Sequence, residues 1–175
     1  MSVLSSAQTA LMGPVERARV VVLERVLYVV LAFDLWMEMV PHGSRYGAGG
    51  LNVAHFGWLD RLQGLPDAGT YLTVILASGV FSLSLAFGIG GRLARWAVFW
   101  LYTYGWAMSQ LDSYQHHFFL SIVLFHLALD QGSVRDSGSQ RGCAWPYQLL
   151  VASVAIVYAY TGLSKTEEAW LMGDV

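Results

Sequence analysis

The feature that most constrains the fold of this chain is a run of 22 residues without a charged side chain, residues 70–91. A helix needs about 20 predominantly apolar residues to cross the hydrocarbon core of a bilayer. Charged residues make up only 13% of the 175-residue chain, about half of the share that is usual in a soluble domain. The run therefore predicts a transmembrane helix rather than the core helix of a soluble protein.

Four further apolar stretches accompany this run, at residues 20–40, 96–111, 113–129 and 143–164. Backbone polar groups that lie in lipid must pair within their own segment, so spanning segments of this kind are helices. The predicted fold is an all-α, polytopic integral membrane bundle of about five transmembrane helices. Residues 1–18 are expected to form an N-terminal segment and residues 19–175 the transmembrane domain. The loop over residues 41–69 is amphipathic and is expected to include a short interfacial helix.

The ten cationic side chains predict the orientation of the bundle, because positively charged residues favour the cytoplasmic side of a membrane. With the N-terminus in the cytoplasm, seven of the ten lie on that side: Arg17, Arg19, Arg25, Arg92, Arg95, Arg135 and Arg141. The other three, Arg45, Arg61 and Lys165, lie outside. The segment 1–18 is therefore expected to be cytoplasmic and the loop 41–69 to be an outer loop.

The same topology collects titratable side chains at the outer face, where the only lysine, Lys165, ends the fifth apolar stretch. Tyr158, Gly162 and Lys165 are spaced so that a helix places them on one face. A small residue such as glycine allows a second helix to approach closely. Loss of solvent lowers the pKa of an amine and makes it a usable base. The alternative is an interfacial lysine that reaches water beside Trp170.

Four of the five histidines are also expected at the outer face: His42, His55, His116 and His117. His116 and His117 are adjacent, so a helix separates them by about 100° and only one can face the bundle centre. One of them could handle a proton, or both could be interfacial histidines bonded to water. A metal site needs more ligands at suitable spacing, so no metal is expected.

Two acidic residues of the first span, Asp34 and Glu38, share one helix face. Ionisable groups inside a span usually face a partner or a cavity, so Asp34 is a candidate pocket residue, although a purely structural pairing is an equal alternative. The single cysteine, Cys143, excludes an intrachain disulfide and a cysteine-based zinc site. The net charge of −2 gives no indication of nucleic-acid binding.

Several segments together resemble a known family: "LYVVLAFD", "RYGAGG", "WLDRLQGLPD", "HHFFL" and "IVYAYTGLSKTEEAW". Over most of residues 19–173 the chain resembles the membrane module of the vitamin K-dependent gamma-carboxylase family, also called the HTTM domain. The resemblance implies that Lys165 deprotonates vitamin K hydroquinone or a related quinol and that His117 positions it. The quinol pocket would also include His116, Tyr158, Gly162 and Asp34.

The resemblance further implies a reaction, in which oxygenation of the quinol generates a strong base that removes a proton from a glutamate side chain before CO2 adds. The expected activity is that of a gamma-glutamyl carboxylase in a bacterial inner membrane, with membrane lipid and the lipophilic quinol as partners. The carboxylases continue into further spans and a lumenal domain, so a missing C-terminal domain or a partner subunit is also expected. The chain has Val151 and Ser153 where family members often carry arginine and glutamine.

Two other functions fit the same residues. The first is a non-enzymatic membrane subunit, whose small-residue face of Gly79, Ser82 and Ala86 would pack against another helix. The second is a DoxX-like, quinone-linked redox protein in which the histidines transfer protons.

Overall fold

A computed structural model describes residues 14–43, 56–63, 66–108, 115–129, 141–143 and 145–165. This part of the chain consists mainly of helices: α1 (Arg17–Asp34), a π-helical turn (Leu35–Met39), α2 (Val40–His42), α3 (Gly57–Gln63), α4 (Ala68–Ala86), α5 (Gly91–Ala107), α6 (Gln115–Leu129) and α7 (Trp145–Ser164). Each of the five predicted spans falls on helical structure. The helical prediction is therefore confirmed.

Two short strands, β1 (Pro14–Glu16) and β2 (Arg141–Cys143), add an element that the sequence did not predict. They pair antiparallel, with Pro14 opposite Cys143 and Glu16 opposite Arg141. Three residues are too few for the alternation of apolar and polar side chains that reveals a strand in a sequence. The pair joins the beginning of α1 to the segment that leads into α7.

Among the described helices, α4 is the one that is both long and apolar enough to cross a membrane by length and composition. Shorter apolar helices cover His116–Leu129 and Tyr147–Leu163. α1 carries charged residues in its first half, and α5 has 17 residues and includes Arg92 and Arg95. The structure therefore contains five long helices, one of which meets the criterion for a span on its own.

The N-terminus of α4 is capped by Asp67, whose carboxylate accepts hydrogen bonds from the backbone N–H and the hydroxyl of Thr70, both at 2.9 Å. These bonds favour the ionised carboxylate and lower the pKa of Asp67 below its ordinary value. At its other end α4 turns into α5 through Gly88, Gly90 and Gly91, all with positive φ. Glycine adopts this backbone conformation without steric cost, so the turn can be short.

Neighbouring helices in the bundle run antiparallel. Arg25 of α1 lies beside Gly88, just after α4, whereas Trp36 of the π-helical turn that follows α1 lies directly on Gly79 of α4. On α5 and α6, the ring centroids of Trp96 and Phe125 are 5.9 Å apart and those of Trp106 and Phe118 are 5.3 Å apart. The first half of α7 shares an apolar cleft with the second half of α6. α7 therefore begins beside the end of α6.

The core lies between α1, α4, α5 and α6. Its most deeply buried members include Tyr28, Leu31, Leu35, Tyr71, Ile75, Val98 and Leu124. The outward faces of the helices are also apolar, and large exposed side chains include Val22, Val26, Val30, Phe33, Trp100, Ile156, Tyr160 and Leu163. Contiguous exposed apolar surface marks contact with a membrane or with another protein.

The antiparallel arrangement gives the bundle two ends of different character. The arginine end holds the beginning of α1, the α4–α5 turn and the β1–β2 pair, and thus residues 17, 19, 25, 92, 95 and 141. The histidine end holds the end of α1, the beginnings of α4 and α6, and the end of α5. The grouping of arginines at one end agrees with the sequence prediction. The side of a membrane that each end faces stays a prediction.

Candidate functional site

A buried hydrogen bond between a phenol and an imidazole lies at the histidine end. The Tyr102 hydroxyl on α5 is 2.6 Å from Nδ1 of His117 on α6. Both residues are buried, with 2% and 7% of their surface exposed. The proton can lie on either atom, because the imidazole accepts it in one tautomer and donates it in the other. The pair is therefore a place where a proton can be held away from water.

A second polar contact lies one helical turn along on each helix. The indole N–H of Trp106 donates to the hydroxyl of Ser121 at 2.7 Å, and the hydroxyl of Thr103 donates to the same oxygen at 3.1 Å. Tyr102 and Trp106 are four residues apart on α5, as are His117 and Ser121 on α6, so each pair occupies one helix face. The polar groups of this interface are thus satisfied by one another.

Beside this contact lies a cavity of about 330 Å³ with mostly aromatic walls. It is lined by Phe56, Phe99, Thr103, Trp106, Phe118, Ser121, Ile122 and Phe125. Phe56, which immediately precedes α3, packs edge-on against Trp106 with ring centroids 6.1 Å apart. The volume is near the lower end of the range for small-molecule sites, about 300–1,000 Å³. The cavity suits an apolar ring or a hydrocarbon chain.

The two adjacent histidines have different surroundings. His117 is buried, whereas His116 is exposed, and their ring centroids are 4.1 Å apart. The placement follows from helix geometry, which allows only one of two neighbours to face the bundle centre. His126 is buried further along α6, where its Nδ1 lies 2.7 Å from the carbonyl oxygen of Ile122 in the same helix. Among the described residues, no group of three or more histidine, cysteine, aspartate or glutamate side chains could hold a metal ion.

The other predicted site residues are less buried than this pair. Lys165 is exposed and follows the last residue of α7. Tyr158 is 73% exposed, and a Cβ atom built at Gly162 meets nothing within 4 Å. The close helix approach that Gly162 could allow is thus not made within the described part of the chain. Asp34 is half-buried at the end of α1.

Some predicted outer-face residues lie outside the described part of the chain. They are Arg45, His55 and Trp170, together with the side chain of His42. Residues 44–55 of the outer loop 41–69 also lie outside the described part of the chain. Its described helix, α3, exposes Trp58 and Leu62, as an interfacial helix does.

Sequence reasoning missed a buried ion pair at the arginine end. Arg95 Nη2 on α5 lies 2.8 Å from one carboxylate oxygen of Glu24 on α1 and 3.0 Å from the other. The side chains are 7% and 10% exposed. The count of cationic residues placed Arg95 on the cytoplasmic side and did not consider Glu24. Glu24 and Arg95 carry opposite charges in or next to apolar stretches. Charges in such positions usually face a partner, and this signal could have suggested the ion pair.

Comparison with known families relates this architecture to one of them. The family model of the HTTM domain matches residues 12–175, which include all the helices described above. Comparison with curated proteins and with solved structures returned no match. The match confirms the resemblance drawn from the sequence motifs. The chain therefore belongs to the HTTM family, whose domain is membrane-associated.

Proposed function

We propose that this HTTM protein is a polytopic membrane protein that binds a lipophilic quinol at its histidine end. The observation that carries the proposal is the buried hydrogen bond between Tyr102 and His117, which lies one helical turn from an aromatic cavity of about 330 Å³ lined by Trp106 and Ser121. A quinol has an apolar tail and two ring oxygens, so its site must combine apolar walls with a few polar groups.

Three features support insertion of all five long helices in a membrane. Large apolar side chains cover outward faces of α1, α4 and α7, including Phe33, Val80 and Ile156. The buried charges Glu24 and Arg95 are paired with each other, as charges within a membrane bundle usually are. The cationic residues are concentrated at one end, which would face the cytoplasm by the positive-inside rule.

The buried pair has the chemistry to recognise a quinol oxygen. The Tyr102 hydroxyl can donate to a ring oxygen, and the His117 imidazole can accept from a ring hydroxyl. His116, whose ring touches that of His117, offers a second imidazole at the exposed edge. Trp106 and Phe118 would contact the ring or the isoprenoid tail by stacking. In this arrangement the tail occupies the cavity and the ring lies toward the histidines.

Lys165 is the proposed base that removes the first proton from the quinol. α7 begins beside the end of α6, so its C-terminal end, which Lys165 follows, would lie toward the end of the bundle that holds His116 and His117. Tyr158, Gly162 and Asp34 would contribute to the rim of the site, also at this end. When bound, the quinol would supply, with O2, the strong base that a carboxylase-like reaction on a glutamate side chain requires.

Binding of a short-chain quinol to the purified protein in lipid nanodiscs tests the proposal. His117→Leu should weaken binding by about tenfold, because it removes a hydrogen bond to a polar ligand group in a buried site. His126→Leu is the matched control, since His126 is also buried on α6 but bonds within its own helix. Unchanged affinity in His117→Leu, with the helical content retained, would refute the proposed site.

The catalytic role of Lys165 has a separate test. Lys165→Ala should leave quinol binding and folding intact, because the side chain is exposed, but should abolish quinol oxygenation. Lys165→Arg keeps the charge without providing a usable base and should be equally inactive. Undiminished turnover in either variant would exclude the Lys165 amine as the base. It would not refute quinol binding at the histidine end.

A second function, that of a non-enzymatic membrane subunit, is favoured by the surface of α7. Residues 155–163 are all exposed, including the large side chains of Ile156, Tyr160 and Leu163. An apolar helix face of this length could pack against a partner helix in the membrane. This alternative predicts a stable complex with a defined second subunit and no quinol turnover by either variant or wild type.

A further inference from the structure

We propose that the arginine end contains a binding site for the phosphate of an anionic phospholipid, formed by Arg25, Arg95 and the α4–α5 turn. The site lies at the opposite end of the bundle from the proposed quinol site and does not depend on it. The proposal rests on a cavity, on the charges around that cavity and on the apolar side chains beside it.

The cavity has a volume of about 190 Å³ and lies between α1, the α4–α5 turn and α5. It is lined by Val21, Glu24, Arg25, Leu85, Gly88, Gly91 and Arg95. Gly88 and Gly91 both have positive φ, at 77° and 59°, so glycine is strongly favoured there and no side chain fills the space above the turn. The wall formed by the turn is therefore backbone, which a small anion can approach closely.

The charges around the cavity are arranged to receive an anion. Glu24 holds the Arg95 guanidinium at 2.8 Å and 3.0 Å, which fixes the orientation of this side chain in the wall. Arg25 is exposed, and its Nη2 lies 3.5 Å from a Cβ atom built at Gly88, so its guanidinium lies against the turn. Two cations and one carboxylate leave an excess of one positive charge. Guanidinium groups match the geometry of phosphate oxygens.

The charges of the whole arginine end also favour an anionic phospholipid. At the arginine end, the described residues include six arginines and two glutamates, namely Arg17, Arg19, Arg25, Arg92, Arg95, Arg141, Glu16 and Glu24. Among the described residues toward the histidine end, the acidic Asp34, Glu38, Asp60 and Asp67 outnumber the cations Arg61 and Lys165. A basic cluster next to a membrane-embedded helix attracts anionic lipid head groups. The field therefore directs anionic lipid to the end that holds the cavity.

Exposed apolar side chains beside the cavity indicate a lipid rather than a free anion. Phe87 and Ile89 in the turn and Leu93 in the first turn of α5 are 72%, 65% and 78% exposed. Side chains of this kind enter the boundary between head groups and acyl chains. A phosphate bound at Arg25 would thus bring its acyl chains next to these three residues.

Native mass spectrometry of the full chain, released from nanodiscs of mixed phosphatidylglycerol and phosphatidylcholine, tests the proposal. The wild type should retain phosphatidylglycerol in preference to phosphatidylcholine. Arg25→Gln should reduce this preference by more than the about fivefold effect that any single arginine contributes at a membrane surface. Arg92→Gln is the matched control, because Arg92 is an exposed arginine at the same end that does not line the cavity.

The outcomes distinguish a specific phosphate-binding site from general electrostatic attraction of anionic lipid to the arginine end. A clearly larger loss of preference in Arg25→Gln than in Arg92→Gln supports the site. Equal losses in the two variants, or no loss in Arg25→Gln, overturn it. A parallel titration with inorganic phosphate distinguishes the source of the anion, since displacement of the lipid by free phosphate at millimolar concentration would overturn the assignment to a lipid. Quinol binding should be the same in all three proteins.

Discussion

Removal of one charge of the buried ion pair should destabilise the protein more than removal of both charges together. The side chains of Glu24 and Arg95 are 10% and 7% exposed and in contact at 2.8 Å. Glu24→Leu leaves the Arg95 guanidinium buried without its carboxylate. Arg95→Met leaves the Glu24 carboxylate buried without its guanidinium. Breaking a buried pair in this way costs about 3–5 kcal/mol, whereas replacing both partners by apolar residues is often neutral or stabilising.

The magnitude can be read in a melting experiment. For a chain of this size, 1 kcal/mol corresponds to a shift in Tm of about 2–4 °C, so each single variant should melt at least about 6 °C below the wild type. The double variant should melt within about 3 °C of the wild type. Far-UV circular dichroism of the protein in detergent gives the Tm of all four members of the cycle, and the difference between them gives the coupling energy.

The result that would refute this reasoning is additivity. If the double variant melts as far below the wild type as the sum of the two single variants, the charges are not coupled. Small effects in both single variants would show that water reaches the pair and screens it. Arg92→Met serves as the control for loss of a positive charge at this end, and its Tm should stay close to that of the wild type because Arg92 is exposed.

Three further predictions concern packing, capping and the buried hydroxyl. Gly79→Ala places a Cβ atom into the Trp36 indole and should cost about 1–3 kcal/mol, while Gly105→Ala, where nothing lies within 4 Å, should keep the Tm or raise it. Asp67→Ala should lower the Tm at neutral pH by removing the cap of α4. Because the folded pKa of Asp67 is lowered, this difference is present above its ordinary pKa of 3.8 and is lost as the pH falls through the folded value. Tyr102→Phe leaves the buried imidazole without its phenol and should cost about 1–3 kcal/mol in the same melting assay.

The positions of the long helices follow from the sequence because hydropathy is a local property. The charge-free run 70–91 overlaps α4, and the other four apolar stretches overlap α1, α5, α6 and α7. The boundaries differ by a few residues, since capping decides where a helix begins. α4, for instance, starts at Ala68 behind the Asp67 cap, not at residue 70.

The candidate site could be predicted only in part from the sequence. The motif "HHFFL" identified His116 and His117, and helix geometry required that only one of them could face inward. The partner Tyr102 could not be identified, because the pairing depends on the relative heights of α5 and α6. Nothing in the spacing of Phe56 indicated that it would pack against Trp106, since loop residues carry no periodic signal.

The sequence by itself determined that this chain forms long apolar helices, that its arginines gather at one end, and that it carries the motifs of the HTTM family. These properties depend on composition and spacing along the chain. Only the tertiary structure decided which charges pair and which polar groups meet, as with Glu24 and Arg95, which are separated by 71 positions. The physical reason is that an ion pair or a buried hydrogen bond requires contact within about 3 Å, and contact between distant residues is set by how the helices pack.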